Sequence, residues 1–403
     1  AMRAELPAVR RIVVLADDHA ASLARWLTGH GDADPGVAGS PDDVVFQLYT
    51  SGTTGSPKGA QLTHRSFFDL WNGMARQGDP WLGLGPRDVL LIPLPSFHIA
   101  GVWWMVRGLA AGSACIVMEA FVGWQVLELI ARHRVTRLFA VPAMLQVMLA
   151  EPSCRTADLS SLTHIVYGAS PAAPALLQQA MATFRCAMVQ VYGMTETGNV
   201  AVSLRAEDHT LPAGPRMRSA GRALPGVALK IIDAQGRPLG PGQIGEICIH
   251  SPANMIGYWN LDAATAETLR DGWIHSGDAG FLDDDGYLFI QDRIKDMIIT
   301  AGENIYPVEI ENALHDHPAV AEAAVIGVPD PRWGEVVKAV VVLRPGAAAT
   351  AAEILEFLRG RIADFKLPRS VDFAAALPRT PSGKVKKAEL RAPYWQGRDR
   401  MVN

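Results

Sequence analysis

Between residues 63 and 289 the chain sets short apolar runs, at 89–92, 115–118, 138–141 and 164–167, between stretches of helical periodicity such as 124–133 and 175–184. Runs that are apolar on consecutive positions predict strands buried on both faces, with helices layered over them: an α/β fold. The apolar run 44–48 predicts a strand ending in a loop, and Thr63 marks the start of a helix beyond it. Residues 99–118 have membrane-spanning length, but Arg107 and three glycines predict a buried helix followed by a strand. From residue 220 the texture changes, and 227–232, 245–250 and 287–291 read as strands of a smaller, mainly antiparallel β region.

The charged stretch 292–296 joins a strand end to the apolar 297–299 and predicts a domain boundary, dividing the chain into 1–294 and 295–403. Beyond it the pattern predicts a helix over 307–315 with Pro307 in its first turn, and strands over 323–328 and 339–343. An amphipathic helix over 351–364 follows, through Ile354, Leu355, Leu358 and Ile362, completing a small α+β unit. At the other end, 11–15 reads as a strand, 20–27 as a helix and 29–41 as a polar connection.

With 403 residues, 49% of them hydrophobic, the chain exceeds one ordinary core and predicts two or more domains. The 37 basic and 41 acidic residues nearly cancel, so no overall field argues for nucleic acid or an anionic membrane as partner. Cys115, Cys154, Cys186 and Cys248 are widely spaced, unlike a zinc site or a redox dithiol, and predict buried free thiols in a reducing cytosol. Residues 2–5 lead into mixed polar sequence without the apolar core of a signal peptide, so a cytoplasmic location with no integral membrane segment is expected.

The densest chemistry lies in 49–59, YTSGTTGSPKG, directly after the apolar run 44–48. Gly52 and Gly55 let backbone N–H groups converge on anionic oxygens, Thr50, Ser51, Thr53, Thr54 and Ser56 add hydroxyl donors, and Lys58 adds a charge. The run reads as a nucleoside triphosphate loop. It is not a Walker A loop, because Lys58 lies between Pro57 and Gly59 rather than before a Ser or Thr. Other candidate segments are Gly168-Ala169-Ser170-Pro171, Tyr192-Gly193-Met194-Thr195-Glu196, His275-Ser276-Gly277-Asp278, and 378–384, PRTPSGK. Alone, each has a bland reading: a small-residue turn, a helix cap, a surface turn, a solvated basic face extended by Lys386, Lys387 and Arg391.

Taken in order, these segments resemble the adenylate-forming superfamily of acyl-CoA synthetases, luciferase and peptide-synthetase adenylation domains, most of all bacterial fatty acyl-CoA synthetases. The likeness runs from about residue 41 to the last dozen residues. It implies a large domain of layered α/β sheets with a small β region, and a mobile α+β C-terminal lid. Relative to that pattern the chain is N-terminally short, with 48 residues before the loop.

The resemblance implies ATP, Mg2+ and coenzyme A as cofactors, and a small-molecule carboxylic acid as substrate. Tyr192 would stack on adenine beside Gly193, Gly168, Ala169 and Ser170; Thr195 would meet the α-phosphate, and Glu196 the magnesium ion. Asp278 would hold the ribose hydroxyls with Arg293 beside it. Lys384 would be the catalytic lysine, and Lys295 the hinge that brings the loop at Gly302 to the site for thioester formation. His98, next to Phe97, would position the substrate, with Trp103, Trp104, Val141, Pro142 and Met144 near the acyl pocket. The implied activity is an ATP-dependent acid–thiol ligase acting on a fatty or related hydrophobic acid, and a homodimer is one arrangement the sequence allows. Two other readings stay open: a catalytically incompetent nucleotide-binding fragment, and an amino- or aryl-acid adenylation domain that loads a carrier protein.

Overall fold

The computed structural model describes residues 36–50, 57–79, 81–170, 172–300, 303–380 and 385–396, together with positions 25, 27, 28, 31 and 33. The strand, helix and connection expected over 11–41 fall mostly outside the described residues. The chain divides into two compact units, 1–43 and 44–403. In the first, Ser40 and Asp43 close a short turn, with the Asp43 carboxylate accepting from the Ser40 N–H at 2.7 Å. All that follows concerns the second.

That unit opens with β1 (Val44–Thr50) and β2 (Lys58–Thr63), antiparallel strands paired from Val44↔Thr63 to Thr50↔Lys58. The triphosphate loop therefore closes a hairpin. Thr63 then caps α1 (His64–Arg76) in a box with Ser66, which places the helix start where the sequence predicts it. The strand between loop and helix was not foreseen.

The apolar bursts form a parallel array: β3 (Val89–Ile92), β4 (Ala114–Val117), β5 (Arg137–Ala140), β6 (His164–Gly168) and β7 (Ala187–Tyr192). Antiparallel β8 (Val202–Leu204) and β9 (Arg222–Ala223) extend it, giving the order β4-β3-β5-β6-β7-β8-β9. Helices α2 (Ile99–Ala110), α3 (Gly123–His133), α4 (Pro142–Ala150) and α5 (Pro174–Phe184) link the parallel strands. Leu90, Leu91, Ile92, Leu138, Ile165 and Val166 are wholly buried, as consecutive apolar runs covered on both faces should be. Trp103 and Trp104 are wholly buried too, stacked on each other, with Trp71 and Trp81 tilted against Trp103 and Phe139 meeting both edge-on.

The smaller β region holds β10 (Ala228–Ile232), β11 (Gly245–His250), β13 (Leu269–Arg270), β14 (Trp273–Leu282) and β15 (Leu288–Arg293), all antiparallel, while β12 (Gly257–Tyr258) pairs with β2. Between β12 and β13 lies α6 (Asp262–Thr268). The segment around Asp278, which taken alone reads as a surface turn, is the middle of the ten-residue β14; Gly277, at φ +69°, breaks its pairing there.

The C-terminal part is built from β16 (Ile298–Thr300), β17 (Glu303–Ile305), α7 (Pro307–His315), β18 (Val320–Asp330), β19 (Gly334–Leu343), α8 (Ala351–Leu358), β20 (Ser370–Phe373) and α9 (Lys387–Arg391). α8 stops six residues before the predicted 364, because Gly360 takes φ +71°, outside the helical region. Ile362 still reaches the core from beyond the helix end. The apolar clusters of 298–394 share no member with those of 46–290.

Candidate active site

β6 and β7 are adjacent and parallel, with Gly168 opposite Val191, so the turns that leave their carboxyl ends lie side by side. In open α/β sheets that edge is where ligands bind. Gly168, Ala169 and Ser170 leave β6, Ala169 at φ +67°. A Cβ on Gly168 would stand 2.3 Å from the Val191 carbonyl oxygen, so only glycine permits this approach. Gly193 is more constrained: its Cβ would fall 1.6 Å from the Asn199 carbonyl oxygen. Directly after it the chain turns through the 3-10 segment Thr195–Thr197, with Thr195 and Glu196 buried.

Glu196 is gripped from another sheet. The Tyr258 hydroxyl donates to its Oε1 at 2.7 Å, and Lys58 Nζ lies 5.3 Å from the centre of the Tyr258 ring. Burial and the neighbouring carboxylate raise the Tyr258 phenol well above its ordinary value, so it stays a donor. Oε2 of Glu196 has no protein hydrogen bond among the described residues. A buried carboxylate with one oxygen fixed and one available suits a hard divalent cation that keeps water and phosphate as its other ligands, so these residues fit magnesium. Sequence reasoning missed Tyr258. Sixty-two residues separate it from Glu196, and the pairing Tyr258↔Ala60, with the Met255 N–H donating to the Glu196 carbonyl at 2.8 Å, brings them together.

The second half of the site is built around Asp278. Tyr192 donates its hydroxyl to Asp278 Oδ2 at 2.7 Å, and Arg293 Nε lies 3.7 Å from Oδ1, the two residues facing each other across β14 and β15. Burial, with Asp278 beside it, raises the Tyr192 phenol far above its usual range. Asp278 is itself held from below. Ser276 Oγ donates to the Ile247 carbonyl at 2.7 Å and accepts from the Asp278 N–H at 3.1 Å, while Glu246 accepts from the Gly277 N–H at 3.1 Å. His275 Nδ1 lies 3.1 Å from Glu246 and 3.7 Å from Cys248 Sγ, although the cysteine spacing suggested no such grouping. Burial, then Glu246, pushes the Cys248 thiol up to about 12. Cys154 is buried as well, whereas Cys115 and Cys186 are only partly so.

Thr50 ends β1 opposite Lys58, while Ser51, Gly52, Thr53, Thr54, Gly55, Gly302 and Lys384 lie outside the described residues. His98 caps α2, its Nδ1 accepting from the Ala100 N–H at 3.3 Å, beside an exposed Phe97. Lys295 sits in the 3-10 segment Ile294–Asp296, where burial and Arg293 draw its ammonium below the usual range. Of the basic residues after Lys384, Lys386 is partly exposed beside Glu389, while Lys387 and Arg391 point inward. Lys387 is buried against Glu311 at 2.9 Å and Asp292 at 3.4 Å, and Arg391 against Asp296 at 2.6 Å.

Comparison with known proteins places the chain in a family. The family model described as AMP-binding enzyme matches residues 2–259, and that of the AMP-binding enzyme C-terminal domain matches 309–384. A fatty acid–[acyl-carrier-protein] ligase of Streptomyces coeruleorubidus is 49% identical over 95% of this chain and 74% of its own length. A feruloyl-CoA synthase of Amycolatopsis is 44% identical over 91% of this chain and 73% of its own. The crystal structure of ATP-bound MatB from Rhodopseudomonas palustris superposes with a TM-score of 0.84 at 35% identity, covering 93% of this chain and 72% of the other.

Proposed function

We propose that this chain, which belongs to the AMP-binding enzyme family and has the adenylate-forming fold, is an ATP-dependent carboxylate–CoA ligase acting on a hydrophobic acid. The observation that carries the reading is the pairing of two preformed halves at one sheet edge. Glu196, Tyr258 and Lys58 suit a magnesium triphosphate, and Tyr192, Asp278 and Arg293 suit a nucleoside.

Hydroxide is a poor leaving group, so a free carboxylate cannot acylate a thiol directly. The substrate carboxylate attacks the α-phosphorus of ATP, and the bond to the β-phosphate breaks with loss of pyrophosphate. Magnesium, when bound, offsets charge on the leaving pyrophosphate. Tyr192 stacks on the base, Asp278 accepts from the ribose, Thr195 donates to the α-phosphate, and Thr50 with the loop through Lys58 holds the outer phosphates. Lys384 neutralises the carboxylate and α-phosphate. The CoA sulfur then attacks the acyl carbon, and AMP leaves with the bonding pair.

The part beginning at Lys295 acts as a lid domain on the part that ends at 294, turning about Lys295 to exchange Lys384 for the loop at Gly302. A fatty or aryl acid is the substrate class suggested by relatives at 49% and 44% identity. Acting on small molecules, the protein works in the cytoplasm, and no helix among the described residues is long and apolar enough to cross a membrane. A carrier-protein thiol is the second reading of the acceptor, favoured by the relative named as a carrier-protein ligase.

The test is mass spectrometry of reactions with ATP, magnesium, straight-chain and aromatic acids, and either CoA or a holo carrier protein. Acyl-AMP and acyl-CoA are expected, both lost in Lys384→Ala. Bound ATP without either product would overturn the reading, and product with the carrier alone would replace CoA as acceptor.

A further inference from the structure

A turn about Lys295 would carry every later residue past every earlier one, so contacts that span this point set the resting orientation. Asp292, three residues ahead of Lys295, is the hub of such contacts. Its Oδ2 accepts from the Val308 N–H in the first turn of α7 at 3.1 Å and from Lys387 Nζ at 3.4 Å, and its Oδ1 accepts from the Arg293 N–H at 2.7 Å. The Asp292 side chain is 9% exposed, and those of Lys387 and Glu311 are each 14% exposed.

The remaining pairs stay on one side. Glu311 and Lys387 both follow Lys295, as do Asp296 and Arg391, and would travel together. One buried ammonium thus faces two carboxylates, of which only Asp292 lies across the hinge. When the small unit turns, Lys387 keeps Glu311 as counter-charge, so no bare buried cation results.

We infer that Asp292 and Lys387 are positioning residues, a releasable latch that holds the part following Lys295 in one working orientation and opens when that part turns. The inference rests on the ligase reading and on Lys295 as its hinge.

The half-reactions separate the two. Adenylation is read as ATP–pyrophosphate exchange, and thioester formation as acyl-CoA made from synthetic acyl-adenylate and CoA. Asp292→Asn and Lys387→Met are each expected to change the ratio of the two rates by about tenfold, equivalent to about 1.4 kcal/mol, and in the same direction. The double variant should show less than the product of the single effects. Should Lys387→Met fail to fold, since it leaves two buried carboxylates without a cation, Asp292→Asn alone carries the test. Rates that fall together, or a ratio that does not move, would overturn the latch. Exchange that survives in Lys384→Ala would instead overturn the ligase reading beneath it.

Discussion

Tyr258 fixes one Glu196 carboxylate oxygen by a 2.7 Å hydrogen bond and so decides where the other points, as the outer partners of a metal-holding carboxylate would if Glu196 holds the magnesium of the proposed function. Tyr258→Phe keeps the ring under Lys58 and removes only that donor. The magnesium concentration giving half-maximal exchange is expected to rise about tenfold, with the rate at saturating magnesium little changed. A magnesium titration checks this, and an unshifted curve would make the phenol a packing element. Gly193 was legible as part of a motif, but its necessity was not. That depends on the Asn199 carbonyl six residues later, folded back to a place where any Cβ would collide.

Among the elements, the junction between strand β15 and the C-terminal part carries a titration. Burial raises the Asp292 carboxyl to about 6, with Glu311 and Asp296 adding to the rise and Lys387 opposing it. Its pKa is therefore higher folded than unfolded, and between about 4 and 6 the folded chain holds the extra proton. The contribution of this group to stability is fully present below the unfolded value and is lost as the pH rises through 6. Asparagine cannot ionise. Relative to wild type, Asp292→Asn should lose ground as the pH falls from 7 to 5, by about 1.3 kcal/mol, measured by denaturant unfolding at the two pH values. A difference independent of pH would show that Asp292 titrates as a free carboxylate.

The parallel strands were legible because each is a contiguous apolar run covered on both faces, and α7 because Pro307 marks its first turn. Two elements were not. β2 has glycine, glutamine and lysine among its six residues and is a strand only because β1 and β12 flank it. β14 carries a segment that taken alone reads as a surface turn, because Gly277 and Asp278 interrupt it, yet its neighbours β11 and β15 hold it extended. Pairing between distant strands leaves little trace in local composition, so Tyr258, which reaches Glu196 from the strand beside β2, was hidden although Asp278, Arg293 and Glu196 were legible.

Across the whole molecule, the separate apolar clusters of 46–290 and 298–394 bear on how cooperatively the chain unfolds. Leu314 is fully buried among Ile298, Ile305, Ile310 and Leu358. Leu314→Ala should cost about 2–5 kcal/mol. If the part from 295 onward is a domain, amide exchange will accelerate across 298–343 and stay unchanged in the parallel sheet. Equal acceleration in both would mean one cooperative unit and no boundary at 294.

The hairpin of β1 and β2 has a further consequence for how this site tolerates change. Lys58, Ala60 and Leu62 alternate onto one face of β2, and Ala60 and Leu62 are completely buried. The burial of Ala60 and Leu62 therefore acts as a ruler that sets the face on which the Lys58 ammonium leaves the sheet. One residue added within β2 would turn Lys58 to the opposite face while the core reclaimed its register. The length of this strand thus fixes the direction of a charge that no ion pair among the described residues holds in place.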